Sequence, residues 1–200
     1  MKKPFYKKLW FWLIVIIIVP IAACTACSNG DSDEAANTNS EKPSTTTETP
    51  KKEEDTKVTY ENFLKIKMGA SLADVESILG KGTEESSSDD SGIKTVMYSW
   101  NGPGISNMEV TIQNNAVTDK AQSGLAPNNA KVSLDKYNQV KEGMTYDQVK
   151  GILGEGQVTS QANIMDAESI TYSWINNNGS NMDCIFLGGK MSTKAQAGLK

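Results

Sequence analysis

The sequence has 200 residues, a formal net charge of −4 and a pI of about 5.0. It contains no histidine, and every basic residue is lysine. These absences exclude histidine-based acid–base catalysis, histidine metal sites and arginine clamps on phosphate. An acidic chain also lacks the basic patch of a nucleic-acid-binding protein, so we expect no nucleic acid partner.

Residues 1–27 predict a lipoprotein signal or a membrane anchor. Lysines precede an apolar run from Leu9 to Ala23, and Cys24 follows. This order is typical of an export signal, and the residues from Ile21 to Cys24 resemble the bacterial lipobox, in which the cysteine (here Cys24) carries the lipid. An uncleaved membrane helix is the alternative, because extension through Cys27 approaches the ~20 residues that a span needs. In both cases the lysines stay inside, and the remaining chain lies at the outer surface of the cell membrane.

Residues 28–57 predict a disordered polar tether between the membrane and the folded part. The segment is rich in Ser, Thr, Asp and Glu and holds no aromatic residue. Such a composition cannot bury enough apolar surface to fold.

The remaining chain is an internal repeat. Residues 58–125 and 132–199 align at a constant offset of 74 without a gap, and 20 of the 68 aligned positions are identical. The identities form blocks, among them Ile-Leu-Gly-x-Gly, Tyr-Ser-Trp and Lys-Ala-Gln-x-Gly-Leu. The sequence therefore predicts two tandem repeats, joined by a linker at 126–131.

Each repeat begins with two predicted helices. In the first repeat, TYENFLKIK predicts a short helix that ends at Gly69. Ser71 and Asp74 then resemble a capping box, which begins a second helix that ends at Gly80. The second repeat has the same signals 74 positions further on, with Thr145 and Gln148 as its capping box.

Four strands follow in each repeat. The first runs through 82–87 and 156–161, and a variable loop that includes Asp89 and Asp90 precedes the second. Apolar and polar residues then alternate in IKTVMYSW and NMEVTI, Asn114-Asn115 suits a tight hairpin, and AVTDKAQ forms the last strand. The predicted fold class is α+β, with two tandem repeats, each a helix-turn-helix packed on a four-stranded antiparallel sheet.

The alternation separates core positions from outward positions. The aromatic residues share a face with Val96 and Ile170 and are expected in the core: Tyr98, Trp100, Tyr172 and Trp174. The outward positions are small or polar, among them Ser99, Asn107, Glu109, Thr111, Ser173 and Asp183. A binding site is expected on these outward faces or in the groove between the repeats.

The duplicated pattern resembles a known family. A capping box, a helix that ends Ile-Leu-Gly-x-Gly and a Tyr-x-Trp strand, repeated behind a lipoprotein signal, are similar to the tandem-repeat β-lactamase-inhibitor-protein-like lipoproteins of Gram-positive bacteria. The single unit also resembles the small lipoprotein of the outer-membrane barrel assembly machinery. The resemblance implies a sheet surface that grips another protein, with an acidic turn that enters the active site of the bound enzyme. The corresponding turn here, Asn101 to Gly104, holds no acid.

These observations predict a non-catalytic module that binds a protein of unknown identity, with a passive envelope spacer as the alternative. Lactamase inhibition and catalysis have less support. Ser91 with Lys94, and Ser133 with Lys136, match S-x-x-K, but the S-D-N and K-T-G elements of penicillin-interacting enzymes are missing. We therefore predict no catalytic residue, no metal site and no cofactor.

Overall fold

The computed structural model of the protein describes residues 57–164 and 167–200, which belong to one compact unit. The predicted signal or anchor at 1–27, the lipidation site Cys24 and the tether at 28–57, except for Lys57, lie outside the described residues. Their assignment stays a prediction.

The described residues form four short helices in two pairs, and each pair precedes a set of four strands. Helix α1 spans Tyr60–Lys65, α2 Leu72–Leu79, α3 Leu134–Gln139 and α4 Tyr146–Leu153. Helices α2 and α4 begin with complete capping boxes, as the sequence predicts. The first helix ends earlier than predicted, because Ile66 is its C-cap and Gly69, at φ +80°, lies in the turn that follows.

All strands belong to one antiparallel sheet whose order follows the chain. The two ends of the sheet are β1, in which every residue is exposed, and β8. The strand bounds are β1 Thr83–Asp90, β2 Ile93–Asn101, β3 Asn107–Gln113, β4 Ala116–Ser123, β5 Gln157–Ile164, β6 Ala167–Ile175, β7 Asn181–Leu187 and β8 Lys190–Ala197.

The sheet differs from the prediction of a separate four-stranded sheet in each repeat. Strand β4 pairs with β5 from Asp119 to Ala121, opposite Ser160 to Ala162, so the sheet continues from one half of the chain into the other. The first strand is also longer than predicted. Asp89 and Asp90 are strand residues opposite Lys94 and Ile93, not residues of a loop.

Two hydrophobic cores lie between the helices and the sheet. The first contains Phe63, Val75 and Leu79 from the helices, together with residues of β2, β3 and β4. The second contains Val149 and Leu153 from α4 with residues of β6, β7 and β8, including the buried Cys184. Every buried side chain of the described helices belongs to one of these cores. The opposite face of the sheet therefore has no described helix against it.

The Ile-Leu-Gly-x-Gly block and the Tyr-Ser-Trp block meet in the folded protein. Trp100 Nε1 donates a hydrogen bond to the Gly80 carbonyl oxygen at 3.0 Å, and a Cβ at Gly82 would lie 2.6 Å from the indole ring. Because no side chain fits at that position, the indole can close over the end of α2. The same contacts, at the same distances, are made by Trp174, Gly154 and Gly156.

The Lys-Ala-Gln-x-Gly-Leu block ties the last strand of each half to its first helix. The buried Lys120 Nζ donates to the carbonyl oxygens of Phe63 at 3.1 Å and Ile66 at 2.6 Å, at the C-terminus of α1. An ammonium group suits the negative end of a helix. Two residues later, Gln122 Oε1 accepts from Leu125 N. The second half repeats these bonds with Lys194, Tyr137, Val140, Gln196 and Leu199.

Candidate functional site

The candidate site is the helix-free face of the sheet, which we call the outward face. Its residues are those that alternate with the buried core positions, a pattern clearest in β3, where Met108, Val110 and Ile112 are buried. Cross-strand pairs share a face, and the pairing register therefore extends the outward face across all eight strands. The sequence-predicted outward residues lie on it: Ser99, Asn107, Glu109, Thr111, Ser173 and Asp183.

The outward face is mainly small and polar. A row across its middle reads Ser99, Glu109, Ala121, Ser160, Thr171, Ile185 and Thr193. Larger apolar side chains are a minority on this face, and they include Met97 in β2 and the neighbouring Ile185 and Leu187 in β7. The face thus offers hydrogen-bonding groups and carboxylates, held at fixed spacing by the backbone ladder.

Hydroxyl groups hold two of the carboxylates in place. Ser99 Oγ donates to Glu85, which sits at a bulge in β1. In the second half, Ser173 Oγ donates to Asp183 Oδ1 at 2.5 Å, and Thr159 Oγ1 lies 3.3 Å from the same serine hydroxyl. These groups are already satisfied within the protein.

Asp119 and Glu109 are a different kind of pair. Glu109 lies opposite Ala121, two residues from Asp119, so the two carboxylates are diagonal neighbours whose Cα atoms lie roughly 7–8 Å apart. Burial raises the pKa of Asp119 to about 6, and the Glu109 charge adds to the rise. Neither carboxylate has a hydrogen bond or an ion pair with any residue in the described ranges. Asp119 was not predicted as a site residue, because strict alternation from the buried Val117 would place it on the helix side. A β-bulge at Thr118 moves it to the outward face, opposite Thr111.

The conspicuous aromatic residues lie on the helix side, as predicted. Trp100 and Trp174 are buried, and Tyr98 and Tyr172 are half-buried against the two cores. They are therefore core residues and not exposed anchors for a partner.

The predicted groove between the repeats is bridged by direct contacts. The Val158 N–H donates to Tyr60 Oη at 2.7 Å, and Gln122 Nε2 donates to the Val158 carbonyl oxygen at 3.0 Å. An open depression of about 290 Å³ lies instead beside the linker, between residues 129–132 and 176–178. Asn176, in that depression, is held by hydrogen bonds to the Val132 backbone.

Neither S-x-x-K match is arranged as a nucleophile with a lysine base. Ser91, in the β1–β2 turn, donates to the Asp90 side chain. Ser133 is the N-cap of α3, and its hydroxyl accepts from the Lys136 backbone N–H. No group of three or more potential metal ligands occurs in the part of the chain that the structure describes. Within the same part, no helix is both long and apolar enough to cross a membrane.

A family profile and a solved structure both match this chain. The profile of the beta-lactamase inhibitor (BLIP) family matches residues 59–174, more than half of the chain and parts of both halves. A candidate beta-lactamase inhibitor protein from Streptococcus mutans, known from a crystal structure, is 20% identical, and the alignment covers 70% of this chain and 95% of that one with a TM-score of 0.59. No curated protein sequence matches the chain. The family profile confirms the resemblance that the sequence motifs indicate: the chain belongs to the beta-lactamase inhibitor (BLIP) family.

Proposed function

We propose that the protein is a non-catalytic module that binds another protein through the outward face of its sheet. The observation that carries this proposal is the helix-free face, on which eight strands present polar groups at fixed spacing. Membership of a family named for protein inhibitors supports it. A large rigid surface loses little conformational freedom when a partner covers it, which favours binding.

The proposal includes the organisation that the sequence predicts. Residues 1–27 export the chain or anchor it, Cys24 carries the lipid if the signal is cleaved, and residues 28–57 form the tether. Two tandem repeats, 58–125 and 132–199, follow as one binding unit at the outer surface of the cell membrane. Lys120 and Lys194 make equivalent hydrogen bonds in the two halves, and so do Trp100 and Trp174. This equivalence supports a duplicated origin.

A beta-lactamase is one partner to test, because the family and the Streptococcus mutans relative carry that description. The β2–β3 turn, however, presents the fully exposed Ile105 and no carboxylate. We therefore leave the partner's identity to experiment.

The test uses the full-length chain with a C-terminal tag to capture a partner from detergent-solubilised envelope proteins. A purified beta-lactamase is tested separately. Thr111→Arg places a large charged side chain on the outward face, and Ser77→Arg places the same side chain on the exposed surface of α2. Circular dichroism of both variants serves as the check that they are folded.

Retention of one dominant protein by the wild type and by Ser77→Arg, together with its loss from Thr111→Arg, would support binding through the outward face. Equal retention by all three proteins would place the contact elsewhere. If nothing is retained above a control that carries only residues 1–57, the binding function is wrong and the passive spacer is favoured.

A further inference from the structure

Charge is unevenly distributed between the two sides of the sheet. The strand register places Asp90, Glu109, Asp119 and Asp183 on the outward face, and Glu85 reaches it at the β1 bulge. Lys190, at the tip of the β7–β8 hairpin, is the one strand lysine that the register of the described residues places on this side. The other strand lysines alternate to the helix side: Lys94, Lys120 and Lys194.

The carboxylates at the centre of this acidic surface have no cation or hydrogen-bond donor among the residues that the structure describes. Asp183 and Glu109 occupy equivalent positions 74 residues apart, and each lies opposite a serine in the neighbouring strand. Ser173 donates to Asp183, whereas Ser99 donates to Glu85 and leaves Glu109 without a hydrogen bond among the described residues. Glu109 and the half-buried Asp119 thus form a carboxylate pair to which no described residue supplies a donor or a cation.

The chemistry of a partner follows from this pair. An apolar or acidic surface that covered Glu109 and Asp119 would remove their remaining water and leave two buried, unpaired carboxylates, which is strongly unfavourable. Lysine or arginine side chains would neutralise both groups and replace the lost hydration with charge-assisted hydrogen bonds. A free metal ion is a poorer occupant, because no third ligand is available within the described residues.

On the basis of the proposed function, we propose that the partner is a protein that covers the Glu109–Asp119 part of the outward face with lysine or arginine side chains. The contact is therefore specified by charge at the junction of β4 with β5. Asp119 then makes binding sensitive to acid, since burial raises its pKa to about 6. Among the described residues, Glu109 on β3 is the other titratable group that faces it, because the opposed residue of β5 is Ala162.

The experiment combines capture with carbodiimide cross-linking, which joins a carboxylate to a lysine amine in direct contact. The tagged full-length chain is mixed with solubilised envelope proteins at pH 7, treated with the carbodiimide and digested for mass spectrometry. We expect cross-linked peptides that join Glu109 or Asp119 to a lysine of one partner. Cross-links found only at other carboxylates, such as Asp89, together with unchanged binding of the Glu109→Gln, Asp119→Asn variant, would overturn the inference and leave the proposed binding function intact.

A paired binding measurement covers a partner that uses arginine, which the reagent does not join. The double variant Glu109→Gln, Asp119→Asn is compared with Glu142→Gln, Asp147→Asn, which removes the same charge from two exposed positions on the helix side. With the partner purified from the capture, we expect the first double variant to bind at least tenfold more weakly at pH 7 and the control to bind as the wild type does.

The pH and salt dependence complete the test. The wild type should lose affinity between pH 7 and pH 5 and with added salt, and the Glu109→Gln, Asp119→Asn variant should show a smaller loss in both cases. Equal affinity of the two double variants would overturn the inference. Failure of the wild type to capture any protein would overturn the proposed function as well, so the two failures can be told apart.

Discussion

At the scale of single residues, the repeated motifs of the sequence are explained by contacts that recur in both halves. The indole of Trp100 lies where a side chain at residue 82 would be, and that of Trp174 lies where a side chain at residue 156 would be. These glycines are required by a close approach and not by their backbone angles, since neither has a positive φ.

The substitutions Gly82→Ala and Gly156→Ala test this contact. The added methyl group meets a buried ring that has little room to move, and overpacking of this kind costs about 1–3 kcal/mol. We expect a lower midpoint of urea unfolding for each variant. Gly151→Ala is the control, because its Cβ would meet nothing within 4 Å on helix α4 and alanine favours a helix by roughly 0.5–1 kcal/mol. Equal effects at all three positions would contradict the close-contact explanation.

The pKa of Asp119 predicts how stability depends on pH. The pKa is about 6 in the folded protein against 3.8 for the ordinary group, so the folded state holds this proton more tightly than the unfolded state. Asp119 therefore lowers the free energy of unfolding as the pH rises from about 4 to about 6, and the loss persists at pH 7. We expect Asp119→Asn to stabilise the protein by about 1–2 kcal/mol at pH 7, a range that allows for partial contact with water.

Urea unfolding of the wild type and Asp119→Asn at pH 4 and pH 7 measures this effect. The difference between the two proteins should be small at pH 4, where the Asp119 carboxyl of the folded protein is protonated. A difference of the same size at both pH values would show that the amide acts through packing and not through charge.

At the scale of secondary-structure elements, the β4–β5 junction is the shortest pairing in the sheet. It has three residue pairs, whereas every other pair of neighbouring strands has seven. Tyr60 and Gln122 reinforce it by bonding the two backbone groups of Val158, next to the bulge in β5. A short ladder thus depends on side chains from the other half of the chain.

Removal of the Tyr60 hydroxyl should weaken this junction. Tyr60→Phe leaves the Val158 N–H without its acceptor, and a buried group left unsatisfied costs about 1–3 kcal/mol. Hydrogen exchange should accelerate most for the amides of residues 119–121 and 158–162. Tyr98→Phe is the matched control, because the Tyr98 hydroxyl makes no hydrogen bond with the described residues. Uniform acceleration in both variants would contradict a local role.

The local signals of the sequence account for most of the helices and strands. Capping residues marked the starts of α2 and α4, and alternation marked the core faces of β2 and β3, because these signals depend on neighbours within a few positions. The β4–β5 pairing was not predicted, since it joins residues some 40 positions apart and few apolar residues mark it. The unpaired state of Glu109 and Asp119 was also not predicted, because it depends on the bulge in β4 and on the hydrogen bond from Ser99 to Glu85, which local alternation does not show.

At the scale of the whole molecule, one sheet unites two separate cores. Each core has its own indole and its own pair of helices. The first core has Lys120 at the end of its first helix, and the second has Lys194 at the equivalent place. The continuous sheet and the contacts of Tyr60 link their unfolding. The folded part is therefore expected to behave as one cooperative unit.

Core truncation tests this cooperativity. Met108→Ala in the first core should cost about 2–5 kcal/mol, as typical large-to-small substitutions do. If the halves unfold together, hydrogen exchange of the most protected amides should accelerate equally in β3 and β7. Met182→Ala, at the equivalent position of the second core, should give the same result. Acceleration confined to the half that carries the substitution would show that the halves unfold independently.

The exposed first strand affects how copies of the protein behave at high concentration. An unpaired strand is a template for further strands, and charged side chains are a common protection against that growth. Strand β1 carries Glu84, Glu85, Asp89 and Asp90, so two copies that met along this edge would bring like charges into contact. Acid that neutralises these carboxylates would remove the repulsion while leaving the backbone groups of the edge free to pair. Acidified concentrated solutions should therefore form sheet-rich aggregates from protein that is still folded.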